Sequence, residues 1–333
     1  MVSTVLVTDY SWPDLDVERE LLSQIGADLV VAETGEEAEL RELAPSADAI
    51  LTCWKKVPAS VLEAAPRCVT VARYGVGLDN IDLAAATRLG IVVTNVPTFC
   101  TVEVADHTMA LILAHARHVV GFANATAAGR WDNRACGPMR RLRGRVLGLV
   151  GYGNTAREVA ARARAFGYEV LAHTPSRVGA PPEDGVRFAA DLDELLTTAD
   201  IVSLHAPITP ATIGLIGGRE LALMKPDALL VNTSRGALID ESALIDALQR
   251  EAIGGAALDV LDAEPPPAGH LLAAMPGVIV TPHAAFDSLE AIAELQETAA
   301  RNVVALLSGE LPATVVNREV LDSPSLRMAK VPR

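Results

Sequence analysis

Val146-Leu147-Gly148-Leu149-Val150-Gly151-Tyr152-Gly153-Asn154-Thr155-Ala156 is an apolar run followed at once by two glycines one residue apart. Residues 146–150 read as a buried strand and Arg157 to Phe166 as helix. Glycine at 151 and 153 lets the chain turn tightly and bring its backbone against an anion. The start of the helix adds N–H donors that no helical carbonyl accepts. Ala156, the third small residue, lets helix pack on strand as glycine would. The motif alone fits a plain Gly-rich turn as well as a pyrophosphate cradle; its place between strand and helix favours the cradle.

Outward from this turn, short β-branched runs alternate with longer Ala- and Leu-rich stretches, the pattern of an α/β fold with parallel sheets. Thr4–Thr8, Ala49–Thr52, Cys68–Ala72 and Ile91–Thr94 form one set of predicted strands. Val146–Val150, Glu169–His173, Ile201–Leu204, Ala228–Asn232, Ala256–Val260 and Val278–Thr281 form a second, so two sheets are expected. Val102–Arg117 has apolar residues at helical spacing without internal Pro or Gly and reads as a long connecting helix. A second long helix is predicted over Ser288–Leu307. The Leu311–Val316 stretch beyond it is too short to build a domain and is expected to return to the first one. The predicted organisation is discontinuous: 1–100 with 288–333, and 101–287 inserted. No internal repeat is found, and low complexity is confined to short proline clusters at Pro181-Pro182 and Pro265–Pro267.

With 333 residues, half of them hydrophobic, the chain is long enough for about two domains. Its formal charge of -14 repels phosphate backbones and anionic membranes, which argues against nucleic-acid and membrane partners. Four cysteines, Cys53, Cys68, Cys100 and Cys136, lack CxxC spacing and read as reduced thiols. No basic-then-apolar leader opens the sequence, and no stretch reaches the roughly 20 apolar residues that span a bilayer. A soluble, cytoplasmic protein without a metal site is expected.

The strand after the glycine turn ends in His173-Thr174-Pro175-Ser176-Arg177. NAD-binding chains place an Asp or Glu there for the ribose hydroxyls, and here Thr174 holds that position. Without the carboxylate, a ribose 2′-phosphate is not repelled, and Ser176 and Arg177 can hydrogen-bond it. NADP is therefore slightly favoured over NAD; the alternative is that Arg177 covers the adenine or lies in solvent.

Three later strands end in polar residues, where side chains face a crevice instead of a core. Leu229–Asn232 leads to Thr233-Ser234-Arg235-Gly236, and Arg235 there is either a forked donor to a carboxylate or a surface ion-pair partner. Ala257–Val260 leads to Glu264-Pro265, and Val278–Thr281 to Pro282-His283. A carboxylate beside an imidazole stabilises its protonated form, and such a His can pass a proton to and from a carbonyl oxygen. A lone His at a strand end is as often structural.

With these residues in place the sequence resembles the D-2-hydroxyacid dehydrogenase family over nearly its whole length. The landmarks are Arg73-Tyr74-Gly75-Val76-Gly77-Leu78-Asp79-Asn80, Asn95-Val96-Pro97, the glycine turn, Leu204-His205-Ala206-Pro207, Asn232–Gly236, Asp259–Pro265 and Thr281–Phe286. Val104–His107 and the Pro-His-Ala-Ala-Phe ending look most like the branch of C-terminal-binding proteins, with phosphoglycerate dehydrogenases nearby. The resemblance implies two Rossmann-like doubly wound parallel-sheet domains with a cleft between them. Residues 1–100 with 288–333 become a flavodoxin-like substrate domain and 101–287 an NAD(P)-binding domain. It makes Arg235 the binder of the substrate carboxylate, Glu264 the carboxylate that orients His283, and His283 the acid/base. Asp259 resembles the family's nicotinamide-amide contact. Asn154, Thr155, His205, Ala206, Pro207, Thr233, Ser234 and Ala285 should lie along the cofactor. The backbone of Tyr74, Gly75, Val76 and Gly77 should face the substrate carboxylate.

The expected reaction is hydride transfer between NAD(P) and a small 2-hydroxy/2-oxo acid. Trp54, Lys55 and Lys56 after one strand, Trp131, Arg134 and Met139 in the loop before the nucleotide domain, and Phe286 are candidates for specificity. Extra cations would suit a doubly charged, phosphorylated or phosphonate acid; solvated surface charges are the alternative. The branch resemblance also admits a nicotinamide-binding regulatory protein, against which the intact Arg, Glu and His speak. A homodimer through Val102–Arg117 and the loop Gly129–Gly144 is expected from the family pattern.

Overall fold

The computed structural model describes residues 2–328. They form two compact units: one runs through Phe99 and resumes at Ser288, and the other is Cys100–Asp287. Each is built on a wholly parallel sheet.

The first sheet contains β1 (Ser3–Val7), β2 (Ala27–Val31), β3 (Ala49–Thr52), β4 (Thr70–Arg73) and β5 (Val92–Thr94), in the order β2-β1-β3-β4-β5. β3, β4 and β5 are buried at every position, as expected of strands covered by helices on both faces. β2 was not legible as a strand: it lies at the sheet edge, its burial alternates, and Asp28 interrupts it so that its apolar run is only Leu29–Ala32. The other edge is closed by the chain end, where Val316 N–H donates to Val93 O at 2.9 Å and Asn317 Oδ1 accepts from Val93 N–H at 2.8 Å. Leu289–Leu307 is helical, capped by Ser288 Oγ accepting from Ala291 N–H.

The second sheet contains β6 (Val146–Val150), β7 (Glu169–His173), β8 (Val186–Phe188), β9 (Ile201–Leu204), β10 (Leu229–Asn232), β11 (Gly255–Leu258) and β12 (Val278–Val280). Their order is β12-β11-β10-β9-β6-β7-β8. Successive side chains of β10 enter opposite cores: Leu230 packs with Leu204, Leu244 and Leu258, whereas Leu229 and Val231 join Ile112, Leu149 and Ala257. The helices Thr101–Ala116 and Asn154–Ala165 cover that second face. The helix after the glycine turn starts at Asn154, three residues before the sequence reading, because residues 154–156 already close its first turn. β8, a three-residue edge strand, was also missed. Among the described residues no helix is long and apolar enough to cross a membrane, no group of side chains could hold a metal ion, and the four cysteines are free.

Candidate active site

In the second sheet the strand order reverses between β6 and β9, and the chains leaving these two strands bound the crevice where open α/β sheets take their ligands. Gly151 leaves β6 with φ 95°, and a Cβ there would sit 2.6 Å from His205 O and 2.9 Å from Ala206 N. Only glycine lets the two strand ends approach this closely. At Gly153, which caps the helix, a Cβ would meet nothing within 4 Å: the helix start faces open space. Ala156 is fully buried against the sheet. A glycine-lined helix start with open space before it fits the pyrophosphate of a dinucleotide.

The neighbouring segments complete this rim. His205 hydrogen-bonds Ser203 Oγ through Nε2 at 2.9 Å, and burial pushes its imidazole down to about 4, so it is neutral at pH 7. Pro207 O accepts from Thr212 Oγ1 at 2.7 Å. Thr174 continues extended into a tight turn, Pro175–Arg177, in which Arg177 N–H donates back to Thr174 O at 3.0 Å. Ser176 is exposed. Arg177 is engaged by Glu183 at 3.0 Å and lies over Phe188.

After β10, Asn232 shapes the next turn with both ends of its amide: Nδ2 donates to Arg235 O at 2.8 Å, and Oδ1 accepts from Ser234 N–H at 3.0 Å. Ser234 Oγ donates to Leu204 O, and the Thr233 hydroxyl lies 2.9 Å from that of Thr108. Arg235 is extended, with Nη1 donating to Ser234 O at 2.8 Å. A Cβ on Gly236 would lie 2.0 Å from Leu261 C and O, so this glycine is required for the loop after β11 to pass.

That loop carries Glu264, whose Oε1 accepts from Leu261 N–H at 2.9 Å and whose Oε2 is 2.6 Å from His283 Nδ1. Burial works to raise the Glu264 carboxyl. The His283 hydrogen bond and charge, the Leu261 N–H and the Arg235 charge outweigh it and hold the group below its usual 4.5. His283 itself is in the left-handed region at φ 53°, uncommon for a residue with a side chain, and its ring meets Phe286 edge-on at 6.1 Å. Asp259, 1% exposed, sets this conformation. Its Oδ1 accepts from Thr281 Oγ1 at 2.5 Å and Ala284 N–H at 3.0 Å, its Oδ2 from Ala285 N–H at 2.9 Å, and its carbonyl from His283 N–H at 2.8 Å. His107 Nε2 reaches Thr281 Oγ1 at 3.0 Å. The structure thus groups Arg235, Glu264, His283 and Asp259 in one unit and adds His107 and Thr281, which the sequence places in landmark stretches without giving them a role.

In the first unit the order reverses between β1 and β3. Asp9, just after β1, accepts from the backbone N–H groups of Cys53, Trp54 and Lys55 at 3.0, 2.7 and 3.2 Å. Trp54 remains 43% exposed, while Lys55 Nζ is 2.7 Å from Glu36 Oε1 and so is no free cation. The Tyr74 side chain is core, with its hydroxyl donating to Glu18 Oε1 at 2.9 Å. Gly75 has φ 139°, and a Cβ there would overlap the Arg73 guanidinium, which donates to Tyr74 O. Val76 O accepts from Asn95 Nδ2 at 2.8 Å. Among the described residues the N–H groups of Val76 and Gly77 have no protein acceptor.

A doubly wound sheet with a dinucleotide cradle at its switch point and an acid–imidazole pair two strands further on defines a nucleotide-dependent oxidoreductase. Residues 109–285 match the family described as D-isomer specific 2-hydroxyacid dehydrogenase, NAD binding domain. The chain is 39% identical over 291 residues to a glyoxylate reductase of Thermococcus litoralis, covering 85% of this chain and 88% of that one. It is 38% identical over 315 residues to a D-3-phosphoglycerate dehydrogenase of Methanocaldococcus jannaschii, covering 94% of this chain and 59% of that one. The crystal structure of an NADPH-dependent glyoxylate/hydroxypyruvate reductase from Sinorhizobium meliloti, in complex with NADP and malonate, superposes with a TM-score of 0.85 at 29% identity, covering all of both chains. The chain belongs to the D-isomer specific 2-hydroxyacid dehydrogenase family and is an NAD(P)-dependent 2-hydroxyacid dehydrogenase.

Proposed function

We propose that the chain reduces a small, singly charged 2-oxo acid such as glyoxylate or hydroxypyruvate, with Arg235, Glu264 and His283 as the catalytic set. The observation that carries this reading is the 2.6 Å contact between Glu264 Oε2 and His283 Nδ1. An ionised Glu264 keeps a proton on Nδ1, which leaves Nε2 as the atom that exchanges a proton with the substrate oxygen. Arg235 offers its guanidinium to the substrate carboxylate and polarises the adjacent carbonyl. The nicotinamide, when bound, supplies the hydride. Gly151, Gly153, Asn154, Thr155 and the segments at 205–207 and 233–235 are assigned to cofactor binding, and Asp259 and Ala285 would hold the nicotinamide end.

The relatives named above favour an enzyme over a regulatory nicotinamide sensor, and glyoxylate-type substrates over large ones. A singly charged substrate is preferred over a dianionic one on the strength of the glyoxylate reductase relatives. NADP is preferred over NAD in this reading, supported by Thr174 in place of an acidic residue and by Arg177 on the same turn. A homodimer is supported by the apolar helix Val119–Ala127, with Val119 and Val120 exposed and Trp131 93% exposed just beyond it; sedimentation tests this. A cytoplasmic site is supported by four free thiols.

The test is turnover of glyoxylate, hydroxypyruvate, pyruvate, 3-phosphohydroxypyruvate and a 2-oxophosphonate with NADH and NADPH. Glyoxylate or hydroxypyruvate should give the highest kcat/KM. Preference for the phosphorylated acids would overturn the substrate reading, and undiminished turnover in His283→Ala the catalytic one.

A further inference from the structure

The loop between β7 and β8 carries Glu183, and its carboxylate joins two arginines of different elements. Oε1 is 2.5 Å from Arg157 Nη1, in the first turns of the helix Asn154–Ala165, and Oε2 is 3.0 Å from Arg177 Nη1. Each guanidinium also has an aromatic face beneath it. Arg157 lies 4.5 Å above the Tyr152 ring and Arg177 5.9 Å above Phe188, and the two rings meet edge-on at 5.2 Å. Tyr152 stands between the two glycines of the dinucleotide turn, and Arg177 ends the turn that begins at Thr174. A cavity of about 120 Å³ opens beside Arg157, bounded by Tyr152, Arg164 and Asp184.

We propose that Glu183 sets the choice between NADP and NAD by acting as an internal anion in a two-arginine seat for the ribose 2′-phosphate. This rests on the reading that the Thr174–Arg177 turn receives the adenosine ribose. The three side chains together carry one net positive charge. Each is about one-third exposed, so the pairs are screened and exchangeable. A phosphate monoester brings about -1.5 to -2 charges and three acceptor oxygens against the two of a carboxylate, so it takes the arginines in competition with Glu183. The rings keep both guanidinium groups in place when the carboxylate leaves, because a cation over an aromatic face is held without a counter-ion. NAD has no group to displace Glu183, and the seat stays closed. With Gln at 183 the two arginines lose the carboxylate that bonds them both, and the acidic group left beside them, Asp184, acts on Arg157 through its charge and not through a hydrogen bond. The loop itself persists, since Glu183 and Val186 exchange two backbone hydrogen bonds that do not involve the side chain.

Binding of adenosine 2′,5′-bisphosphate and of AMP to the whole protein, by calorimetry, reads the seat directly, whatever the oxo acid. Glu183→Gln should tighten the bisphosphate by about tenfold, the scale of its two screened ion pairs together, and leave AMP within about twofold. Arg177→Met should weaken the bisphosphate, and in the double variant the gain from Glu183→Gln should shrink, because only Arg157 is left for the phosphate to take. The NADPH-to-NADH ratio of kcat/KM should move in parallel. If wild type favours the bisphosphate and Glu183→Gln does not improve it, the inference fails and the NADP reading stands. If Glu183→Gln gains the bisphosphate although wild type does not favour it, the inference stands and wild-type NADP preference falls. If neither protein distinguishes the bisphosphate from AMP, both fall.

Discussion

Glu264 and His283 belong to loops that leave the neighbouring strands β11 and β12, and their Oε2 and Nδ1 atoms come within 2.6 Å across 19 residues of sequence. Parallel pairing of the two strands brings both loops out at the same edge of the sheet. Gly236 beneath Leu261 fixes the height of one loop, and Asp259 beneath Ala284 and Ala285 fixes the other. The pair therefore follows from the sheet and not from either loop alone.

His283→Ala is expected to lower kcat by about 10²- to 10⁴-fold, the span of a lost general acid, with NAD(P)H binding by fluorescence kept within a few-fold. Glu264→Gln, which keeps the shape but not the charge, should lower kcat by less. Comparable loss of cofactor binding in His283→Ala would mean that the loop, and not the proton, had been removed.

The Glu264 carboxyl is held below its usual 4.5 in the folded state, so its contribution to stability is present above about pH 4.5 and is lost as pH falls through the folded value. The difference in melting temperature between wild type and Glu264→Gln should therefore be largest near neutral pH and shrink below about pH 4.5. A difference that stays flat across this range would contradict the assigned pairing.

His205 has the opposite sign. Its folded value of about 4 lies below the ordinary 6.5, so the unfolded chain takes up a proton first as the medium acidifies. Stability from this residue is full above pH 6.5 and declines between 6.5 and 4, with a slope approaching about 1.4 kcal/mol per pH unit. His115, also pushed down to about 4 by burial, adds to the same window. Denaturant titrations of wild type and His205→Gln at pH 7 and pH 5 should show a smaller loss in the variant; equal losses would refute the assignment.

Gly236→Ala places a methyl 2.0 Å from Leu261 C and O, backbone atoms that cannot rotate away. A destabilisation of roughly 1–3 kcal/mol is expected from the forced backbone shift, together with a fall in kcat that exceeds any change in cofactor binding. Chemical denaturation and single-turnover rates check the two parts separately.

Asp259→Asn keeps the volume but exchanges one acceptor oxygen for an NH₂ group facing the donors of Thr281, Ala284 and Ala285. A loss of about 1–3 kcal/mol is expected for each donor left unmatched in this buried position. Because His283 depends on the same loop, its left-handed conformation should relax, and kcat should fall further than thermal stability alone explains.

The sequence made the centre of each sheet legible and the edges not. β6, β9 and β10 are apolar at nearly every residue because helices cover both faces, and a run of that kind stands out. β2 and β8 lie at the sheet edges, and their partly exposed patterns over five and three residues are too short to be noticed. At the site, Arg235, Glu264 and His283 were visible as polar residues just past buried strands. Asp9, His107, Thr281 and Glu183 were not, because each acts through a partner distant in the chain. Asp9 and Thr281 do have a signal, a polar residue one or two places beyond a strand at the end where ligands bind. Glu183 has none: it sits in a polar loop among other acidic residues, and only the folded distances to Arg157 and Arg177 distinguish it.

Asp9 has a consequence for selectivity. The turn that presents Trp54 is tied down through its main chain: Asp9 accepts from the N–H groups of residues 53–55, Asn80 donates to the carbonyls of Cys53 and Lys55, and none of these bonds uses the side chain at 54. Its disorder is removed when the chain folds and not when a substrate arrives, so a ligand meeting this turn owes no entropy for arranging it. We propose position 54 as a place where the substrate range can be redesigned, by exchanging a single ring for a smaller or charged group while the loop beneath stays as it is.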